Sequence, residues 1–205
     1  MIGYLEGRLK RLDATKALLV VNFGVHVALW LLPPQLREAV LLSFGFLPVR
    51  YMSHGWASWP VLISPITYQF LHGGLAHLGI NMLTLAAFGS GVERRLGSTR
   101  MLAFYLLCGI AGAYAQFAAD PESPRVLIGA SGAISGLFAA VLWFTVRQQG
   151  FWVVVGLWLL MNVITGESDP IAGGSGHIAW MTHLGGFVAG LVLFPLFDRK
   201  SRASS

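Results

Sequence analysis

The chain has 205 residues, 55% of them hydrophobic and only 11% charged, with a net charge of +5. Soluble domains carry about a quarter charged residues, so this composition leaves too little charge to cover a water-facing surface and excludes an ordinary soluble protein. The basic excess does not mark a nucleic-acid partner either, because the Lys and Arg residues fall in short clusters between apolar runs, as topology signals and lipid contacts do.

A membrane-crossing helix needs roughly 20 mostly apolar residues. Six stretches qualify, at about 16–33, 74–91, 101–119, 128–146, 150–165 and 178–197. They predict an all-α polytopic membrane protein: one six-helix bundle over residues 1–205, with short tails at 1–15 and 198–205. The first span carries Asn22 and His26, four residues apart, which read as structural hydrogen bonding. Segment 34–73 does not fit a span, since it holds Arg37, Glu38, Arg50, His54, Trp56, Trp59 and four prolines. It reads as a long first loop partly embedded in one leaflet, with His72 ordering its end. The third span carries Cys108, the one cysteine, which can form no internal disulfide and reads as a small buried residue. The fifth span is short, and Asn162 near its end has no explanation.

Basic residues set the direction of the bundle. Eleven lie in the N-terminal segment, the second-to-third connection, the fourth-to-fifth connection and the C-terminus, against three (Arg37, Arg50 and Arg125) on the other side. Both termini are therefore expected in the cytoplasm, and spans two, four and six begin at the outer face. The N-terminal stretch fits neither a cleavable signal nor a transit peptide, which favours a bacterial inner membrane.

Polar side chains inside spans are costly and point to function. His77 and Asn81 lie four apart on one face of span two, Ser131 and Ser135 lie on span four, and His183 lies on span six. All five sit near the outer starts of their spans, at similar depth. A serine hydroxyl needs a base to become a nucleophile, and an imidazole can take its proton and later return it to a leaving amine. Ser131 and His183 are the candidates for these roles. His77, Asn81 and the Ser131 backbone N–H are candidate donors to a tetrahedral oxyanion. No acidic residue falls inside a span, so a Ser–His dyad is expected, without a third member. Gly132 and Gly136 on span four, and Gly186 and Gly190 on span six, form GxxxG pairs that let two helices approach closely. They would bring the serine to the histidine.

These residues carry a resemblance. "GASG" (129–132), "HLGIN" (77–81), "HLGGFVAG" (183–190) and "VERRLGS" (92–98) stand in the order found in rhomboid intramembrane serine proteases. The chain resembles that family from its first span to its sixth. The resemblance implies a six-helix bundle with a cavity open to the outside, and hydrolysis of peptide bonds in or beside transmembrane segments of protein substrates. Ser131 would be the nucleophile and His183 the base, with His77, Asn81 and the Ser131 N–H in the oxyanion hole and no metal or cofactor. Many relatives place an aromatic residue four positions after the serine, against the catalytic imidazole. Ser135 stands there in this chain, leaving Trp180 or Phe104 to take the part. The competing expectations are an inactive rhomboid-like protein that binds client helices for quality control, and a small transporter.

Overall fold

The computed structural model describes residues 13–53, 58–145, 150, 152–158, 160 and 180–202. The described residues are helical apart from their connections, with one isolated bridge between Phe46 and Leu127. In chain order the helices are α1 (Ala14–Trp30), α2 (Pro34–Phe44), α3 (Pro48–Ser53), α4 (Trp59–Thr67) running into a 3-10 turn (Tyr68–Phe70), α5 (Leu75–Leu96), α6 (Ser98–Ala119), α7 (Ser131–Thr145) and α8 (Trp180–Arg202). Residues 152–158 are also helical.

Among the described residues, three helices are long and apolar enough to cross a membrane: Leu75–Leu96, Ser98–Ala119 and Trp180–Asp198. α1, at 17 residues, and α7, at 15, are apolar but shorter. Large side chains such as Leu83, Val192 and Trp152 stand more than half exposed on the outside of the bundle. That is the pattern of an integral membrane protein, whose apolar rim faces lipid rather than water.

Segment 34–73, expected as a long first loop, holds short helices. It is built from α2, α3, α4 and the 3-10 turn. The two arginines expected on its outer side are occupied with helix ends. Arg37 donates to the carbonyls of Leu29, Trp30 and Leu32, closing the C-terminus of α1, and Arg50 donates to Leu42 O at 2.6 Å. Such end carbonyls have no partner within their own helix.

α7 sits at the centre. Nine of its fifteen residues are buried, among them every position from Gly132 to Leu137. It packs against α5, α6 and α8, and α1 packs on α5. The glycines set these contacts. A Cβ added at Gly186 would overlap the Gly132 carbonyl, and one at Gly190 would lie 2.6 Å from Gly136 O. On α6, a Cβ at Gly112 would lie 2.6 Å from Thr182 O. Backbones this close need residues without side chains.

The far ends of the helices are tied by the VERRLGS stretch. Glu93 accepts from the backbone N–H of Ala14 (2.6 Å) and Thr15 (3.0 Å), from Thr15 Oγ1 (2.6 Å), and from Ser98 Oγ (2.6 Å). One carboxylate thus caps the N-terminus of α1 from another helix and fixes the start of α6. Gly97, at φ +79°, makes the tight turn between α5 and α6 that this requires. Arg95 forms a two-pronged pair with Asp198 of α8, at 2.8 and 2.9 Å, and stacks over the rings of Phe144 and Phe194. Asp198 is 8% exposed. Asp198→Ala is expected to cost about 1–3 kcal/mol, below the full penalty of a buried pair because the arginine is partly solvated. The pair lies about 22 Å along α8 from His183, at 1.5 Å per residue, so the substitution should leave the surroundings of that side chain in place. The thermal midpoint of the variant against wild type checks the cost.

Candidate active site

His77, Ser131 and His183 stand on the first described turns of α5, α7 and α8. The other ends of α5 and α8 are held by the Arg95–Asp198 pair, so the three residues share one end of the bundle. Ser131 Oγ and His183 Nε2 are 2.8 Å apart, a hydrogen bond between helices separated by 52 residues in sequence. The structure therefore brings together the serine and the histidine that the sequence singled out.

The fourth span is expected at about 128–146. The helix begins at Ser131 rather than ahead of it, and its first internal bond runs from Ile134 N–H to the Ala130 carbonyl. Gly129 has φ +123°, a conformation closed to most side chains, so it breaks the helix and turns the chain into Ser131. The backbone N–H groups of Ser131, Gly132 and Ala133 consequently lie on the open first turn, where a helix has no acceptors of its own. The glycines of GASG do two different things: Gly129 makes the turn, and Gly132 makes the helix contact.

The turn is held from the first-loop segment. Phe46 and Leu127 exchange both backbone hydrogen bonds, at 3.0 and 2.8 Å, and Gly129 N–H donates to the Tyr68 carbonyl at 2.9 Å. Tyr68 is fully buried, with its hydroxyl donating to Gly109 O at 2.6 Å. Phe46 and Tyr68 were not singled out in the sequence, since nothing in their spacing sets them apart from other aromatic residues of a half-apolar stretch.

His77 approaches the serine from α5. A Cβ added at Gly129 would lie 2.8 Å from His77 Nε2 and 3.8 Å from Ser131 Oγ, so the imidazole edge and the hydroxyl flank the same point of backbone. Asn81, one turn on, is 4% exposed, and its Nδ2 donates to His77 O at 2.9 Å. It faces the interior rather than lipid, and a carboxamide nitrogen has a second N–H to give.

Other expected residues fall differently. Ser135 Oγ donates to Ser131 O at 2.8 Å, a bond back along its own helix. Phe104 does not take the place of an aromatic ring on His183. It is fully buried between Phe194 and Phe197, at centroid distances of 6.1 and 5.7 Å. Phe194 lies about 16 Å along α8 from the histidine, three turns away at 5.4 Å each, so Phe104 packs too far down the helix to reach the imidazole. Trp180 opens α8 and is half-buried. Asn22 is fully buried and donates to Leu18 O at 2.7 Å, as a structural amide would. Cys108 is buried against Gly136. His54, Trp56, Asn162 and the end of the predicted fifth span, 161–165, lie outside the described residues.

Comparison with known proteins shows the family. A family model described as "Rhomboid domain" matches residues 60–200. The chain is 35% identical over 158 residues to Rhomboid protease GluP of Bacillus subtilis, covering 75% of this chain and 29% of that protein. It is 31% identical over 128 residues to RHOMBOID-like protein 5 of Arabidopsis thaliana, covering 62% of this chain and 41% of that one. With YdcA of Bacillus subtilis it shares 32% identity over 195 residues, 89% of this chain and 91% of that one. The chain thus spans less than half the length of GluP and of the Arabidopsis relative, and nearly all of YdcA. With a helical domain matched from the first-loop segment to α8, this chain belongs to the rhomboid family.

Proposed function

We propose that the chain is an intramembrane serine endopeptidase that hydrolyses peptide bonds in or next to transmembrane segments, through a dyad of Ser131 and His183. The observation that carries this reading is the 2.8 Å contact between the serine Oγ and the histidine Nε2. It weighs against an inactive client-binding relative, which has no need to hold a hydroxyl on an imidazole.

The chemistry follows from the contact. Ser131 Oγ attacks the carbonyl carbon of the scissile bond while His183 Nε2 takes the hydroxyl proton. The tetrahedral oxyanion is met by the Ser131 N–H on the open turn of α7, by His77 Nε2 and by the second Asn81 N–H; one such donor is worth roughly 3–4 kcal/mol. The intermediate collapses, the C–N bond breaks, and His183 returns the proton to the leaving amine. A water, deprotonated by the same nitrogen, then attacks the acyl carbon, releasing the carboxylate and restoring the serine.

The full proposal is a single domain of six spans with an embedded first-loop segment, both termini in the cytoplasm, in a bacterial inner membrane. The partners are the bilayer and transmembrane protein substrates. Cysteines placed at Ser175 and Ser205 on a Cys108→Ala background test the orientation. Position 175 should react with an impermeant reagent from outside and 205 should not; outside labelling of 205 contradicts the orientation. The activity is tested with the purified chain in liposomes holding a single-span substrate with small residues near its outer end. Cleavage there is the expected result, and an intact substrate contradicts the proposal.

A further inference from the structure

We propose that His72 is a positioning residue that holds the imidazole of His77 toward the reacting centre. The proposal rests on the protease reading above, in which His77 donates to the oxyanion. His72 lies on the connection between the 3-10 turn and α5 and is 3% exposed. Its ring stands 5.2 Å from that of His77, centroid to centroid, with the planes 66° apart. Edge-to-face rings attract one another and fix a mutual orientation.

The His77 ring has one productive orientation. A Cβ at Gly73 would lie 3.9 Å from its Nδ1, and one at Gly129 would lie 2.8 Å from its Nε2. The ring thus bridges two glycine turns, with Nδ1 toward the turn that carries His72 and Nε2 toward Ser131. His77 is half-buried on the first turn of α5, and the χ2 torsion of an imidazole is broad and roughly two-fold. A rotation about it would take Nε2 away from the serine. The buried His72 ring limits that rotation.

His72 makes this contribution through its ring. Both of its nitrogens are buried and neither makes a hydrogen bond. Its polar neighbours are His77, His26 of α1 and the Phe70 carbonyl, close enough to act electrostatically but outside hydrogen-bond geometry. Among the described residues no three His, Cys, Asp or Glu side chains converge as a metal site. A planar ring of another kind should therefore serve.

The experiment compares His72→Leu and His72→Phe in the liposome cleavage assay, with thermal midpoints on the same samples. His72→Leu keeps an apolar filling without a planar ring. It should lower kcat about tenfold or more, toward the hundredfold that a displacement of about 1 Å can cost, with KM within about twofold. His72→Phe should restore kcat to within about threefold of wild type, because the edge-to-face contact survives. Equal loss in Leu and Phe overturns the proposal, as does a loss in Leu that appears only as a lower midpoint with wild-type kcat per folded molecule. Ser131→Ala is run alongside. Turnover surviving in that variant fails the protease reading itself, whereas its loss together with wild-type kcat in His72→Leu fails the positioning proposal alone.

Discussion

If Ser131 is the nucleophile proposed above, Ser131→Ala is expected to abolish turnover, by about ten-thousandfold or more, as removal of the nucleophile does in other serine hydrolases. The side chain is half-buried on the first turn of α7, and its Oγ meets His183 at 2.8 Å. The substitution removes that one hydrogen bond and leaves no cavity of consequence, so the stability cost stays near 1 kcal/mol. Cleavage rate and thermal midpoint, read on the same detergent sample, should part company: the first lost, the second within a few degrees. Turnover within tenfold of wild type would contradict the dyad.

Gly186→Val gives the second large effect. The first atom of any side chain at Gly186 falls on the Gly132 carbonyl, so α7 and α8 must move apart. Overpacking of this kind typically costs about 1–3 kcal/mol. The catalytic loss is steeper, because Gly132 follows Ser131 directly and Gly186 is three residues beyond His183. The separation is taken up at the hydrogen bond itself, and about 1 Å of misplacement can cost a hundredfold in rate. Leu193→Val is the comparison. Leu193 is half-buried on the same helix, about 10 Å beyond Gly186 at 1.5 Å per residue. Loss of one methylene there costs about 1 kcal/mol and should spare most of the rate. Wild-type cleavage by Gly186→Val would refute the close approach of the two helices.

Residue chemistry made much of the site legible before any coordinates. Ser131, His183, His77 and Asn81 stand out because a polar group inside an apolar run is expensive. GxxxG pairs stand out because glycine is a poor helix former with one clear use between membrane helices. Hydropathy continues through Leu127 and Ile128 and does not mark where α7 starts, because the break depends on the backbone of Gly129, which apolar content does not register. Segment 34–73 read as a long, partly embedded loop because its helices are short; α3 has 6 residues and α4 has 9. Its function, pinning residues 127–129 through Phe46 and Tyr68, consists of backbone hydrogen bonds, which side-chain identity does not encode. Glu93 and Arg95 act through their side chains, but over long sequence separations. Their resemblance to a family signature was visible, but the helix ends they tie lie 78 and 103 residues away in sequence.

The central claim is that Ser131 is a nucleophile made reactive by His183. The purified chain in lipid, treated with a fluorophosphonate and digested for mass spectrometry, tests this most directly, because the reagent bonds covalently to an activated serine hydroxyl and requires no substrate. The account predicts one phosphonyl adduct, on the peptide containing Ser131, and its loss in His183→Ala. No adduct, an adduct on another serine, or undiminished labelling of Ser131 in His183→Ala would contradict it.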